Sequence, residues 1–229
     1  MNIRQGLQAT ALITSLIAGA AGSSSMLMRR NGQDFDLVAS ANPATPHASD
    51  TDRTATFERA RGKRTQADAV ASASATCNSC TGTATAVQVI YFGKARRGTA
   101  DNMATAWSSC RDCRTTSVSL QVLVARPGTD LTIRNRALAV NASCVGCSSA
   151  AVAVQLVVIT KEHQAFSRSA REQLAALASR LETELRATSR TKAARTAAAK
   201  DVGLADIEAL VRNELKPTAV QPHFALKTG

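Results

Sequence analysis

The sequence predicts an α+β chain: a mainly antiparallel β-repeat domain of three strand–CxxC–strand units, followed by a C-terminal helical segment. Two observations carry the β part. All six cysteines fall into three CxxC pairs, Cys77/Cys80, Cys110/Cys113 and Cys144/Cys147, which start 33 and 34 residues apart. A fixed spacing of that size marks a repeat architecture. Apolar residues after each pair then alternate with period two, the signature of a strand. The helical part rests on leucines at helical spacing beyond residue 170.

From the N-terminus, Met1–Arg4 is basic, Leu7–Ile17 is mostly apolar, and Ala18-Gly19-Ala20 has the small-x-small form of a cleavage site. This is the layout of a signal peptide over residues 1–20. The apolar run is too short to span a bilayer. Residues 21–66 contain Pro43 and Pro46, several Ser and Thr, and the basic run Arg59, Arg61, Lys63 and Arg64. They read as a flexible basic linker.

The repeat domain is placed at residues 67–160. Each unit opens on small residues: Ala71 and Ala73, then Ala104 and Ala106, then Ala137 and Ala139. In each unit a glutamine stands eight residues after the second cysteine: Gln88, Gln121 and Gln155. Val87 and Val89, Leu120 and Val122, and Val154 and Leu156 flank these glutamines on the other strand face. The glutamine face carries Ala86, Ser119 and Ala153. Side chains that small let another layer approach closely. A buried amide is costly unless its donors and acceptor are paired. The recurrent Gln is therefore expected to hydrogen-bond the Cys turn or a neighbouring strand.

Helices are expected over residues 161–216. Ser169 and Glu172 form a capping box, and Leu174, Leu177, Leu181 and Leu185 make one stripe. Asp201 is positioned to cap a second helix, with Leu204, Ile207, Leu210 and Val211 on one face, and Pro217 stops it. The stripes are expected to cover the repeat sheet, or else to bind a partner. Residues 217–229 read as a tail.

Composition narrows function. The 229 residues carry net charge +11, and only 3% are aromatic. Aromatics that sparse make no base-stacking platform, so nucleic acid is not expected. The charge fits an anionic cell-envelope polymer or a lipid surface. There is no P-loop, no GxSxG, and no histidine placed for a triad. No catalytic residue, metal or cofactor is expected.

The cysteines have three readings. An exported chain meets an oxidising compartment, where local disulfides staple each turn. Equivalent positions in equivalent units favour three identical local bridges. Zinc is the alternative, since two CxxC knuckles supply four thiolates, but three pairs leave one unmatched. Thiol–disulfide catalysis is the third; its CxxC usually opens a helix, whereas strands follow these pairs.

The segment from Cys77 to about Arg186 resembles a group of exported bacterial CxxC-repeat proteins. It is similar to the extracytoplasmic tail of bacterial peptide zinc metalloproteases. The likeness is carried by Cys110-Arg111-Asp112-Cys113 with Ser117–Val122, by Asn135–Asn141, by Cys144-Val145-Gly146-Cys147 with Ala153–Val157, and by Arg171, Glu172 and Leu174–Leu185. It implies an accessory extracytoplasmic module. It carries no protease activity, because His47, His163 and His223 stand in no HExxH pattern. The function expected is that of an exported, non-catalytic structural or interaction module of the envelope, with the C-terminal helices open to another exported protein.

Overall fold

A computed structural model describes residues 32–93, 95–187 and 203–229. The signal-peptide region and the Asp201 cap lie outside the described residues. Among the described residues, nine strands and two helices follow in order: β1 (Gly32–Ala41), β2 (Ser49–Ala60), β3 (Arg64–Ala75), β4 (Thr81–Phe92), β5 (Arg97–Ser108), β6 (Arg114–Ala125), β7 (Asp130–Asn141), β8 (Ser148–Ile159), α1 (Arg168–Arg186), α2 (Ala205–Leu215) and β9 (Ala219–Thr228).

The strands form a solenoid-like repeat. Odd strands make one sheet, in the order β1-β3-β5-β7, and even strands the other, β2-β4-β6-β8-β9. Every neighbouring pair from β1 to β8 is parallel. Among the described residues, the one antiparallel pair is β8 with β9. The antiparallel expectation is thereby corrected. Each CxxC turn carries the chain from one sheet to the other, so the strands flanking it do not pair. Each strand pairs instead with its equivalent one coil later, Thr81 opposite Arg114 and Arg114 opposite Ser148. Alternation along a strand is the same for both pairing senses. The near-continuous burial of β4, β6 and β8 is what distinguishes them, since a parallel sheet is covered on both faces.

Two further boundaries are corrected. Residues 32–60, read as part of a linker, form a first coil. Gly32 pairs with Arg64 and Ser49 with Thr81, so this coil lies in register with the others. It lacks cysteine, and Pro43 and Pro46 fall in its turn rather than in a tether. Residues 219–228, read as tail, form β9, which pairs along the edge of β8 and satisfies backbone groups left open at the end of the stack.

Residue size grades the space between the sheets. Near the Cys turns, Ala71, Ala73, Ala84 and Ala86 meet in one cluster, and Ala104, Ala106, Ala151 and Ala153 in another. At the opposite end Ile90, Phe92, Leu123 and Val157 fill the interior. The outer face of the even sheet carries Val87, Val89, Leu120, Val122, Val154 and Leu156, packed against Leu174, Leu181 and Leu185 of α1 and Ile207 and Val211 of α2. The helical stripes thus cover the repeat sheet.

The cap of α1 differs from the expected box. Ser167, not Ser169, is the N-cap, and its hydroxyl accepts from Ala170 N at 3.2 Å. The preceding Phe166 is buried against the sheet, and its N–H donates to the Tyr91 hydroxyl at 3.0 Å. That anchor sets where the first helical turn begins.

Candidate functional site

The Cys turns stack into one column along the coil axis. Each of them, and the cysteine-free turn of the first coil before them, holds a residue in the left-handed region at the same point: His47 (φ 63°), Ser79 (58°), Asp112 (54°) and Gly146 (71°). Their N–H groups bond the next turn: His47 N to Asn78 O at 3.0 Å, Ser79 N to Arg111 O at 2.8 Å, and Asp112 N to Val145 O at 2.8 Å. The parallel ladder therefore continues through the corners.

All six cysteines are paired locally, Cys77–Cys80, Cys110–Cys113 and Cys144–Cys147, with Cα separations of 5.6, 6.0 and 5.8 Å. Each bridge sits on the backbone of the preceding coil. Cys80 Sγ lies 3.1 Å from the Thr45 carbonyl oxygen, Cys113 Sγ 3.0 Å from that of Cys77, and Cys147 Sγ 3.1 Å from that of Cys110. The Sγ atoms of Cys110, Cys144 and Cys147 lie within 4.8 Å of one another. Thiolates are what zinc binds, and pairing consumes them. A strand, not a helix, follows every pair.

The glutamines form a second column. Gln88 Nε2 donates to Phe35 O at 3.0 Å and to Asp68 O at 3.3 Å, both carbonyls of the facing sheet. Gln121 Nε2 donates to Ala67 O at 2.9 Å and to Gln88 Oε1 at 2.7 Å. Gln155 Nε2 donates to Gln121 Oε1 at 2.6 Å. Their partners are the opposite sheet and one another, not the Cys turns. Parallel in-register pairing makes this ladder possible, since Gln88, Gln121 and Gln155 are register partners.

Three features escaped the sequence reading. Asn102 and Asn135, register partners on β5 and β7, make a matching amide pair in the odd sheet. Asn102 Nδ2 lies 3.1, 2.9 and 2.8 Å from Ser119 O, Val154 O and Asn135 Oδ1, three acceptors that share its two hydrogens. Their one-coil spacing was the available signal.

Glu182 is fully buried under α1. It accepts from Arg53 Nε and Nη2 at 2.9 and 2.8 Å and from the Thr85 hydroxyl at 2.9 Å. The hydrogen bond to Glu182 holds the Arg53 guanidinium above its ordinary value. This pair ties the helix to the first coil, and no local pattern announces a contact 129 residues long.

Lastly, the residues after each second cysteine, Thr81, Arg114 and Ser148, line an open cavity of about 390 Å³ with Thr116, Thr183 and Arg186. Guanidinium and hydroxyl groups together suit an anion that also carries hydroxyls.

No protein-family model, curated protein or solved structure matches this chain.

Proposed function

We propose that the chain is an exported module of the cell envelope, stapled by its three local disulfides, that acts by presenting a rigid surface rather than by catalysis. The observation that carries this is the column of turn disulfides. Disulfides persist in oxidising compartments and are rare where glutathione keeps thiols reduced. An alanine-rich interior contributes little packing per residue, and cross-links at every CxxC turn offset that thinness. The resemblance to the extracytoplasmic tail of peptide zinc metalloproteases points the same way.

The partner we propose is an anionic envelope polymer or lipid headgroup. Its support is the net charge of +11 and the Arg114–Arg186 cavity beside the turns. A second exported protein, docking on the helices, would have to use their polar side, because the apolar stripes are spent on the sheet.

Fractionation of the native host, with N-terminal sequencing and thiol counting, tests the reading. The expected product is exported, starts near Ala20 and has no free thiol. A full-length cytoplasmic product with six free thiols overturns it. An insulin-reduction assay separates the oxidoreductase alternative: turnover that depends on one CxxC pair would replace the structural reading.

A further inference from the structure

The three disulfides are chemically alike but not equally accessible. In each earlier bridge one cysteine is fully buried, Cys80 or Cys113, and its partner, Cys77 or Cys110, is part-exposed. Cys144 and Cys147 are both part-exposed, and Val145 between them is 68% exposed. The reason is position. Each earlier turn is overlaid by the turn of the next coil, whereas after β8 the chain leaves for the helices. Among the described residues, no further Cys turn covers the last bridge.

That accessible bridge also touches its neighbour. The Sγ atoms of Cys110, Cys144 and Cys147 lie within 4.8 Å of one another, about one strand spacing. Backbone bonds hold the two turns in this apposition: Asp112 N to Val145 O at 2.8 Å, Val145 N to Cys110 O at 3.4 Å, and Ser148 N to Cys113 O at 2.9 Å. A sulfur freed in the last coil therefore stands beside Cys110 without any diffusion. Such enforced proximity accelerates a reaction strongly over its bimolecular counterpart.

We propose that the terminal coil is a thiol–disulfide exchange site. Cys144–Cys147 takes two electrons from an external dithiol and hands them to Cys110–Cys113 through a disulfide that bridges the coils at Cys110. In the first step a thiolate of the dithiol bonds to one sulfur of the Cys144–Cys147 bridge, and the other sulfur leaves as thiolate. The second thiol of the dithiol then displaces the attached cysteine. The reductant departs as its disulfide, and the last coil holds two thiols. Next, the thiolate of Cys144 or Cys147 attacks Cys110 Sγ. A Cys110 inter-coil bond forms, the Cys110–Cys113 bond breaks, and Cys113 leaves as thiolate and takes up a proton. The remaining thiol of the last coil, as thiolate, then closes Cys144–Cys147 again and releases Cys110. Two electrons and two protons have moved one coil inward. Exchange of this kind proceeds only through thiolate attack on an accessible sulfur. The last bridge, part-exposed at both cysteines, is thus attacked first, and its freed thiolate, already beside Cys110, reaches that sulfur faster than an external thiol does. The proposal concerns the chemistry of the column and holds whether or not the chain is exported.

The test uses the oxidised full-length chain with less than one equivalent of dithiothreitol, acid-quenched over time, alkylated, and mapped without further reduction. Alkylation is expected first at Cys144 and Cys147. A peptide joining Cys110 to Cys144 or Cys147 follows, with Cys113 alkylated, and Cys77–Cys80 opens last. In the Cys144→Ser/Cys147→Ser double variant, opening of Cys110–Cys113 is expected to slow at least tenfold. If Cys110–Cys113 opens in the wild type with no inter-coil peptide, or opens equally fast in the folded double variant, the proposal is overturned. Should the variant fail to fold, the wild-type time course decides alone.

Discussion

Gln121 donates its side-chain amide to Gln88 Oε1 at 2.7 Å and takes the Gln155 amide on its own oxygen at 2.6 Å, so it is the middle rung of a buried chain of amides. Its Nε2 also satisfies Ala67 O of the facing sheet. Gln155, the last rung, has an Oε1 with no partner among the described residues. The two positions should therefore respond differently to the same change. Gln121→Leu strands a donor on Gln155 and acceptors on Gln88 and Ala67, each costing roughly 1–3 kcal/mol. Gln155→Leu strands only the Gln121 oxygen and removes an acceptor that was already unpaired. Urea unfolding should show a loss of at least about 3 kcal/mol for Gln121→Leu and about 1 kcal/mol for Gln155→Leu. Equal losses would mean that the glutamines act singly, not as a ladder.

The left-handed residue of each Cys turn supplies a second contrast. Ser79 adopts φ 58°, where a Cβ is strained, and Gly146 adopts 71° at the equivalent point two coils further along the column. A Cβ at Gly146 would also fall on the Asp112 carboxylate. Ser79→Gly is expected to gain up to about 1 kcal/mol, and Gly146→Ala to lose about 2 kcal/mol or more, by thermal or urea unfolding. Opposite signs for two substitutions at one repeat position are the result to look for.

How much of this was legible follows from what a one-dimensional pattern contains. The period, the strand alternation and the shared register of Gln88, Gln121 and Gln155 were all in the sequence. The pairing sense was not, because Val87, Gln88 and Val89 alternate identically beside a parallel or an antiparallel neighbour. Identical residues one coil apart were the clue, since only parallel stacking sets Gln121 opposite both Gln88 and Gln155. The first coil was missed because Thr45 and Ala48 stand where later turns have cysteine, which leaves its strands without their marker. Strand β9 was missed because Pro222 and His223 interrupt its apolar pattern; as an edge strand it can hold a proline.

The chain has a single tyrosine and so carries its own alkaline probe. Burial pushes the Tyr91 hydroxyl above its ordinary value; the Phe166 N–H bond and the charges of Arg171 and Arg59 oppose this without cancelling it. A folded value above the unfolded one means that the neutral phenol is favoured by folding. Its contribution is complete below about pH 10 and is lost as pH rises through the folded value. Tyrosinate absorbance should titrate above pH 10 in the native protein and near 10 in urea. Tyr91→Phe should abolish the signal and cost about 1 kcal/mol at neutral pH through the lost Phe166 bond. A native midpoint at or below the urea value would contradict the assigned burial.

The first coil offers a constructive test of the repeat. Ser49 opposite Thr81 puts Ala48 level with Cys80 and Thr45 level with Cys77. The two turns share their backbone. His47 and Ser79 are both left-handed, at 63° and 58°. Ala48 N bonds Thr45 O at 3.1 Å, as Cys80 N bonds Cys77 O at 3.3 Å. A backbone that already holds a local disulfide three times should accept a fourth. Thr45→Cys/Ala48→Cys is therefore expected to close spontaneously in air, without cross-linking to Cys77 or Cys80, and to lower the mass by about 2 Da, the two hydrogens lost on forming one bridge. Closing so short a loop is worth about 2 kcal/mol in the chain-entropy account, so the melting temperature should rise over that of Thr45→Cys alone. The gain should be visible with the native bridges left oxidised, because the new bridge lies at the far end of the column from the part-exposed Cys144–Cys147 pair. Two thiols that stay titratable after oxidation, or a new bridge that lowers stability, would show that the cysteine-free turn is not equivalent to the other three. The first coil would then be a cap fitted onto the repeat and not its first member.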